Sequence, residues 1–258
     1  MIDAILPHFQ TLRRTLAPSA APYWAAVDPY LGEGKQWLDA VSEREFVLLI
    51  VGIFGSVLLL QIFFALTATC RRGANGLKAF SPTVFWYTLC FIVHSWIEYN
   101  FVYNRSTDRS GFKNGLNLYG AADFRYGIGQ NLELEPGTAA MEMITALVSG
   151  PLCLLTAWAI VGNKPWRWTL QIMSSMCHLY GLVWFMAHPF FAGSDISSSD
   201  PFLYWVIFVG FNAPWGIIPP ILLLQAVFHL NRNMAILQQQ AQVGAAAVKA
   251  VQQQKKFQ

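Results

Sequence analysis

Charge is what this chain of 258 residues has least of: Asp, Glu, Lys and Arg together make up 12% of it, where a soluble globular domain carries about 25%. That shortage excludes an ordinary water-facing surface over most of the molecule. The net charge of +3 is small and scattered, so the basic stripe that a nucleic-acid partner needs is missing as well. Cysteine is equally sparse. Cys70, Cys90, Cys153 and Cys177 stand in or at the ends of apolar runs without close CxxC spacing; no metal is expected, and they read as small packing residues. No apolar core of suitable length follows Arg13-Arg14, which argues against a secretory leader and leaves the first apolar run to act as its own insertion signal. The apolar runs also lack alternation, which excludes a membrane β-barrel.

What is abundant is grease, 55% of the chain, gathered into Phe46–Ala68, Thr83–Tyr103, Ala139–Val161, Trp166–Phe191 and Phe202–Leu230. Each holds roughly the 20 residues that cross about 30 Å of hydrocarbon. The expected fold is all-α: a polytopic bundle of five transmembrane helices over 46–230, enclosing a ligand cavity. Residues 1–45, rich in proline, tryptophan and tyrosine, are expected to lie in the headgroup layer. Residues 231–258, rich in glutamine and alanine, form a cytosolic helical tail. The lipid bilayer is one partner, a lipophilic small molecule another. Assembly is left open between a monomer and a homodimer.

Two of these runs contain carboxyl groups, which is expensive at membrane depth and marks a functional site by default. In FIVHSWIEYNFVY, His94 and Glu98 stand four residues apart, about 40° round a helix, so imidazole and carboxyl lie on one face and can share a proton. Glu142 opens the third run, with Thr145 three residues on and on the same side. Gly150-Pro151 should kink that helix and make room. In the fourth run Gln171, Ser174, Ser175 and His178 repeat at three- and four-residue steps, a polar stripe meant for other helices. Tyr180 and Trp184 enter the membrane on the same helix. Asn212 and Trp215 share a face of the fifth run, which Pro214 and Pro219-Pro220 are expected to interrupt. Gly52 and Gly55 in the first run would let a neighbour approach closely. The long connection 104–138 carries Asp123, Arg125 and Tyr126, read as a solvated loop that could instead cap a cavity.

Eight of the seventeen Lys and Arg residues fall in the first and third connections and the tail, Arg167 flanks the third connection as a ninth, and none falls in Ala192–Pro201. The positive-inside bias puts those segments in the cytosol and the N-terminus in a lumen. The terminal Lys255-Lys256-Phe257-Gln258 matches a dilysine pattern for retrieval to the endoplasmic reticulum, in agreement with that orientation.

Four blocks, FIVHSWIEYNFV (91–102), MEMITALVSGPL (141–152), LYGLVWF (179–185) and FVGFNAPWGIIPPILLLQAVFHL (208–230), resemble the emopamil-binding protein family, the membrane sterol Δ8–Δ7 isomerases, whose wider group includes the sigma-2 receptor. The resemblance covers most of the chain from the first span onward. It implies a five-helix bundle in the endoplasmic reticulum membrane that shifts a carbon–carbon double bond within a sterol, without a cofactor. It also implies that His94, Glu98, Glu142, Thr145, Asn212 and Trp215 line the cavity. Where the isomerases have a glutamine before the Tyr-Gly pair and an aspartate after it, this chain has His178 and Leu182, which bears on the substrate.

Moving an isolated double bond means protonating one alkene carbon and taking a proton from a neighbour of the resulting cation. That calls for an acid held dry, a nearby base and a non-nucleophilic surface for the cation. His94, Glu98 and Glu142 fit as proton-handling groups on two helices. An indole face suits the cation; Trp215 is the first candidate, with Trp96 and Trp184 supporting it and Tyr180 and His178 as further contacts. Asn212 and Thr145 would orient the carboxyl and imidazole. Two other functions use the same residues: acid–base chemistry on a terpenoid or polyketide (isomerisation, cyclisation or epoxide opening), and non-catalytic binding of a sterol or amphiphile.

Overall fold

The structure, a computed structural model, describes residues 43–69, 76–103, 119–126, 135–192, 196–201 and 203–255. Most of the N-terminal segment, Cys70, the Arg71-Arg72 pair and Lys256 lie outside these. Among the described residues the chain is all-helical, without a strand; Asp123 and Ser197 form one isolated antiparallel bridge. Helix α1 spans Glu43–Thr69. Helix α2 (Pro82–Ile92) continues through a π-turn, Val93–Glu98, into α3 (Tyr99–Tyr103). Helix α4 (Pro136–Ile144) likewise passes through a π-turn, Thr145–Ser149, into α5 (Gly150–Val161). Helix α6 is Arg167–Ala192, and a third π-turn, Leu203–Val209, leads into α7, Gly210–Lys255.

Four helical stretches are long and apolar enough to cross a membrane: Ile50–Ala68, Pro136–Val161, Arg167–Phe191 and Leu203–Ala250. The run from Pro82 to Tyr103 is helical throughout but is not among them. Its His94, Glu98, Asn100 and aromatic residues lower the hydropathy of the very segment that carries the ionisable pair.

Local chemistry explains most of the boundaries. Ser81 has extended backbone, φ −69° and ψ 150°, and its hydroxyl accepts the Val84 amide, with Pro82 at the first helical position; this is an N-cap whose missing donor costs nothing. Glu135 caps α4, its carboxylate accepting the Gly137 amide at 2.8 Å and the Thr138 amide and hydroxyl at 2.6 and 2.7 Å. Burial alone would raise its pKa; these hydrogen bonds, with His188 at 3.8 Å, hold it below the ordinary glutamate value. A depressed folded-state value stabilises the fold above the unfolded range near ~4.3, and that stability is lost as pH falls through the folded value. Glu135→Ala is therefore expected to lower thermal stability in detergent by about 0.5–2 kcal/mol at neutral pH. The gap to the parent protein should close on acidification through the carboxylate range.

The polar stripe of α6 faces other helices rung by rung. Gln171 donates to the Leu222 carbonyl at 2.8 Å and to Gln225 at 2.9 Å on α7. Ser174 pairs with Thr156 of α5 at 2.8 Å, Ser175 with the Tyr87 hydroxyl of α2 at 3.1 Å, and His178 with His94 at 3.2 Å. One helix thus pins three others through bonds that lipid cannot offer.

Several expectations are corrected. The fifth run is not interrupted by its prolines: Pro214, Pro219 and Pro220 all lie inside α7, tolerated because spanning helices re-satisfy the freed carbonyls by local adjustment. Gly52 and Gly55 have nothing within 4 Å of where a Cβ would stand, so neither admits a neighbouring helix. Gly150 does. A Cβ there would run into Ser95, whose Cβ and backbone nitrogen lie 3.2 Å away. The π-turn before Gly150-Pro151 is how the helix absorbs a residue that cannot donate to the preceding turn. The tail, expected to be helical, is a continuation of α7 past residue 230, and every residue from 231 to 250 is exposed.

Candidate functional site

The two ionisable segments meet at their π-turns. Ser95 of the first reaches the Ala146 carbonyl of the second at 3.4 Å, and the small Gly150 lets the backbones close. π-Turns inside α-helices recur at functional sites. Here the pair brings three titratable side chains together.

His94 Nδ1 lies 2.7 and 2.8 Å from the two oxygens of Glu98. The Thr145 hydroxyl donates to Glu98 Oε2, and it also lies 2.9 Å from the Glu142 carbonyl oxygen and 3.3 Å from Glu142 Oε2. Tyr126 donates its hydroxyl to Glu142 Oε1. A continuous polar chain thus runs Tyr126, Glu142, Thr145, Glu98, His94, His178. His94, Glu142 and His178 are each 4% exposed, so the chain is dry along nearly its whole length.

These groups line a half-open hollow of about 730 Å³ bounded by residues from all four of the membrane-length stretches and from Pro82–Tyr103. His94, Glu98, Glu142, Thr145, His178, Asn212 and Trp215 all face it. Its remaining wall is overwhelmingly apolar and aromatic. The Trp215 ring lies tilted, 5.3 Å from Trp86 and 6.2 Å from His94, which puts an indole beside the imidazole.

Trp96, Tyr180 and Trp184, expected to touch a substrate, are not on this wall. Trp96 is 37% and Tyr180 74% exposed, and Trp184 stacks on His188 with ring centroids 4.9 Å apart. The reason is helical phase: Tyr180 and Trp184 follow His178 by two and six residues, about 200° and 240° round the helix. Trp96 follows His94 by two. Asn212 is not bonded to the imidazole or the carboxyls either; it donates to the Tyr119 hydroxyl at 2.8 Å and to the Phe208 carbonyl at 2.7 Å.

Tyr126, Asp123 and Arg125 are the residues that the sequence left in a solvated loop. All are buried. Arg125 binds Asp123 through Nε at 2.9 Å and Nη2 at 2.7 Å, donates Nη1 to the Phe185 carbonyl at 2.6 Å and lies 3.6 Å over the Phe185 ring. The adjoining backbone is pinned to 196–198 by Phe124 N to Ile196 O at 2.7 Å and Ser198 N to Ala122 O at 3.1 Å. This plug carries Tyr126 to Glu142 and Tyr119 to Asn212. Only a contact between a loop and a distant helix could reveal it, and no local pattern encodes that.

The fold and site define a class: an all-helical protein of membrane-crossing hydropathy, with buried carboxyls and imidazoles round an apolar hollow. The family model for EBP, the EXPERA (EXPanded EBP) superfamily, matches residues 112–226. A 3-beta-hydroxysteroid-Delta(8),Delta(7)-isomerase of Mus musculus is 31% identical over 156 residues, 59% of this chain and 66% of the mouse protein. A probable isomerase of the same name from Oryza sativa is 26% identical over 175 residues, 66% of this chain and 76% of the rice protein. An isomeliandiol synthase of Ailanthus altissima is 30% identical over 165 residues, 64% of this chain and 66% of its own length. The chain belongs to the emopamil-binding protein family as a divergent member.

Proposed function

We propose that this protein is a membrane isomerase that shifts a carbon–carbon double bond in a sterol or sterol-like polycyclic lipid. It works by protonation to a carbocation and loss of a proton from a neighbouring carbon, without a cofactor. In this reading Pro82–Tyr103 is the fifth spanning helix, residues 46–230 form the membrane domain around an internal cavity, 1–45 lie at the interface and 231–258 form a cytosolic tail. The membrane is that of the endoplasmic reticulum, with the N-terminus in the lumen.

The observation that carries the proposal is the convergence of His94, Glu98 and Glu142 on one apolar hollow, joined through Thr145. In such surroundings a protonated carboxyl is a usable donor to an alkene carbon. The imidazole, linked to the other carboxylate, accepts a proton in its turn. Two groups on two helices let donation and removal take place at different carbons of one substrate. Trp215, beside His94, offers the cation an indole face worth up to about 2 kcal/mol when desolvated, and an indole does not trap it.

Membranes containing the protein, given a Δ8-sterol in deuterated water, should return an isomer carrying one deuterium at the protonated carbon. An unchanged sterol pool counts heavily against a sterol substrate. A second reading is favoured by His178, which the resemblance sets against a glutamine of the isomerases, and by the similarity to isomeliandiol synthase: the same acid–base chemistry applied to a terpenoid. Lipid profiling of cells with and without the gene separates the two by product mass and skeleton.

A further inference from the structure

Behind the imidazole of the acid–base chain stands a second cluster, which shares His94 with that chemistry and otherwise takes no part in it. Cys90, His94 and His178 place Sγ and one ring nitrogen of each histidine within 4.8 Å of one another, and all three residues are buried. The two Nε2 atoms are 3.2 Å apart, and the Cys153 sulfur lies 3.5 Å from His178 Nε2. Cys90 and Cys153 belong to the same buried core cluster. We propose that Cys90, Cys153, His94 and His178 form a binding site for a thiophilic cation of the Zn²⁺ type within the helix bundle.

Geometry is the first argument. Tetrahedral zinc holds nitrogen at about 2.0–2.1 Å and sulfur at about 2.3 Å, which sets ligand atoms about 3.3 Å (N to N) and about 3.6 Å (N to S) apart. The 3.2 and 3.5 Å separations fit those edges. Cys90 Sγ lies within 4.8 Å of both imidazoles and Cys153 Sγ 3.5 Å from one of them, so closing the figure needs movement of the two thiol side chains.

The second argument is charge. Two thiolates, two neutral imidazoles and a divalent cation sum to zero, so a filled site carries no net charge into the membrane interior. Binding releases the two thiol protons.

The third is the outer contact. His94 Nδ1 faces the Glu98 carboxylate at 2.7 and 2.8 Å, the arrangement that fixes the tautomer of a metal-binding histidine and leaves Nε2 with its lone pair. Both imidazoles also line the hollow, which provides the path of entry. A filled site occupies the lone pair of His94 Nε2, so on the acid–base reading above the loaded protein is the inactive form. Binding itself does not depend on that reading.

The test uses the full chain purified in detergent and stripped with a chelator, titrated with Zn²⁺ against a chromogenic competitor and with Co²⁺ as a spectroscopic probe. One Zn²⁺ per chain is expected, together with the thiolate-to-cobalt charge-transfer and visible bands of a tetrahedral site. Affinity should fall by at least about tenfold in Cys153→Ser and in His178→Gln, and remain unchanged in Cys177→Ser, whose thiol is outside the cluster. Thermal unfolding without metal identifies any variant that has lost the fold, and the more conservative His178→Gln then decides. Uptake by the parent protein no greater than by the Cys90→Ser/Cys153→Ser double variant overturns the proposal, as does equal loss in Cys177→Ser. Stoichiometric binding that leaves turnover unaffected supports the site and counts instead against His94 Nε2 in the reaction.

Discussion

Glu142→Gln is expected to lower turnover by about 10²- to 10⁴-fold, the range that a positioned acid or base supplies, while lipid binding and membrane insertion persist. Glutamine keeps the size of the side chain, and its carbonyl can still accept the Tyr126 hydroxyl. What it removes is the transferable proton. Glu98→Gln should do comparable damage by a different route, since it deprives His94 Nδ1 of a carboxylate held at 2.7 Å. Because Thr145 joins the two carboxyls, they act as one unit, and the double variant should be little worse than either single change. Product formation measured beside binding of an unreactive lipid separates the outcomes. Equal loss of binding and turnover would reduce the carboxyls to packing residues, and full activity in both variants would remove them from the chemistry altogether.

Asp123→Asn should cost about 3–5 kcal/mol of stability, because it strands the Arg125 charge where water cannot reach it. Asp123 is fully buried and Arg125 is 4% exposed. The aspartate satisfies three arginine donors, counting the Arg125 backbone amide at 3.1 Å. A companion variant, Asp123→Asn with Arg125→Leu, removes the orphaned charge and should recover part of the loss; thermal unfolding of both in one detergent reads the difference. The effect reaches the site through Tyr126, whose ring lies 6.2 Å from Phe185 and whose hydroxyl meets Glu142. Loosening the plug should therefore reduce activity more than it reduces the helical content of the spans. An Asp123→Asn protein as stable as the parent would show that the pair is not dry.

The legible and illegible parts of the site divide by the range of the interaction. His94 and Glu98 could be paired on paper because four residues along one helix put two side chains on one face whatever the surroundings. The stripe Gln171, Ser174, Ser175 and His178 was legible for the same reason, and it meets three other helices. The tryptophans were not. Composition makes every indole near a buried histidine a candidate, and only phase against a neighbouring helix distinguishes Trp215, with its ring 6.2 Å from His94, from Trp96 and Trp184. Asn212 was read with the carboxyls and instead meets Tyr119, a partner 93 residues away on a connection with no periodic pattern.

The sequence by itself determined that this is a helical membrane protein, where its four stretches long and apolar enough to cross a membrane lie, and which ionisable side chains stand within its apolar runs. Those properties follow from run length, hydropathy and the period of a single helix. Tertiary structure decided which of those side chains share a hollow, that the 119–126 connection is a buried plug rather than a solvated loop, and that His178 meets both His94 and Cys153. Each of these depends on how one helix is rotated against the next. Rotation is set by packing summed over whole helix faces, and no stretch of chain carries that information alone.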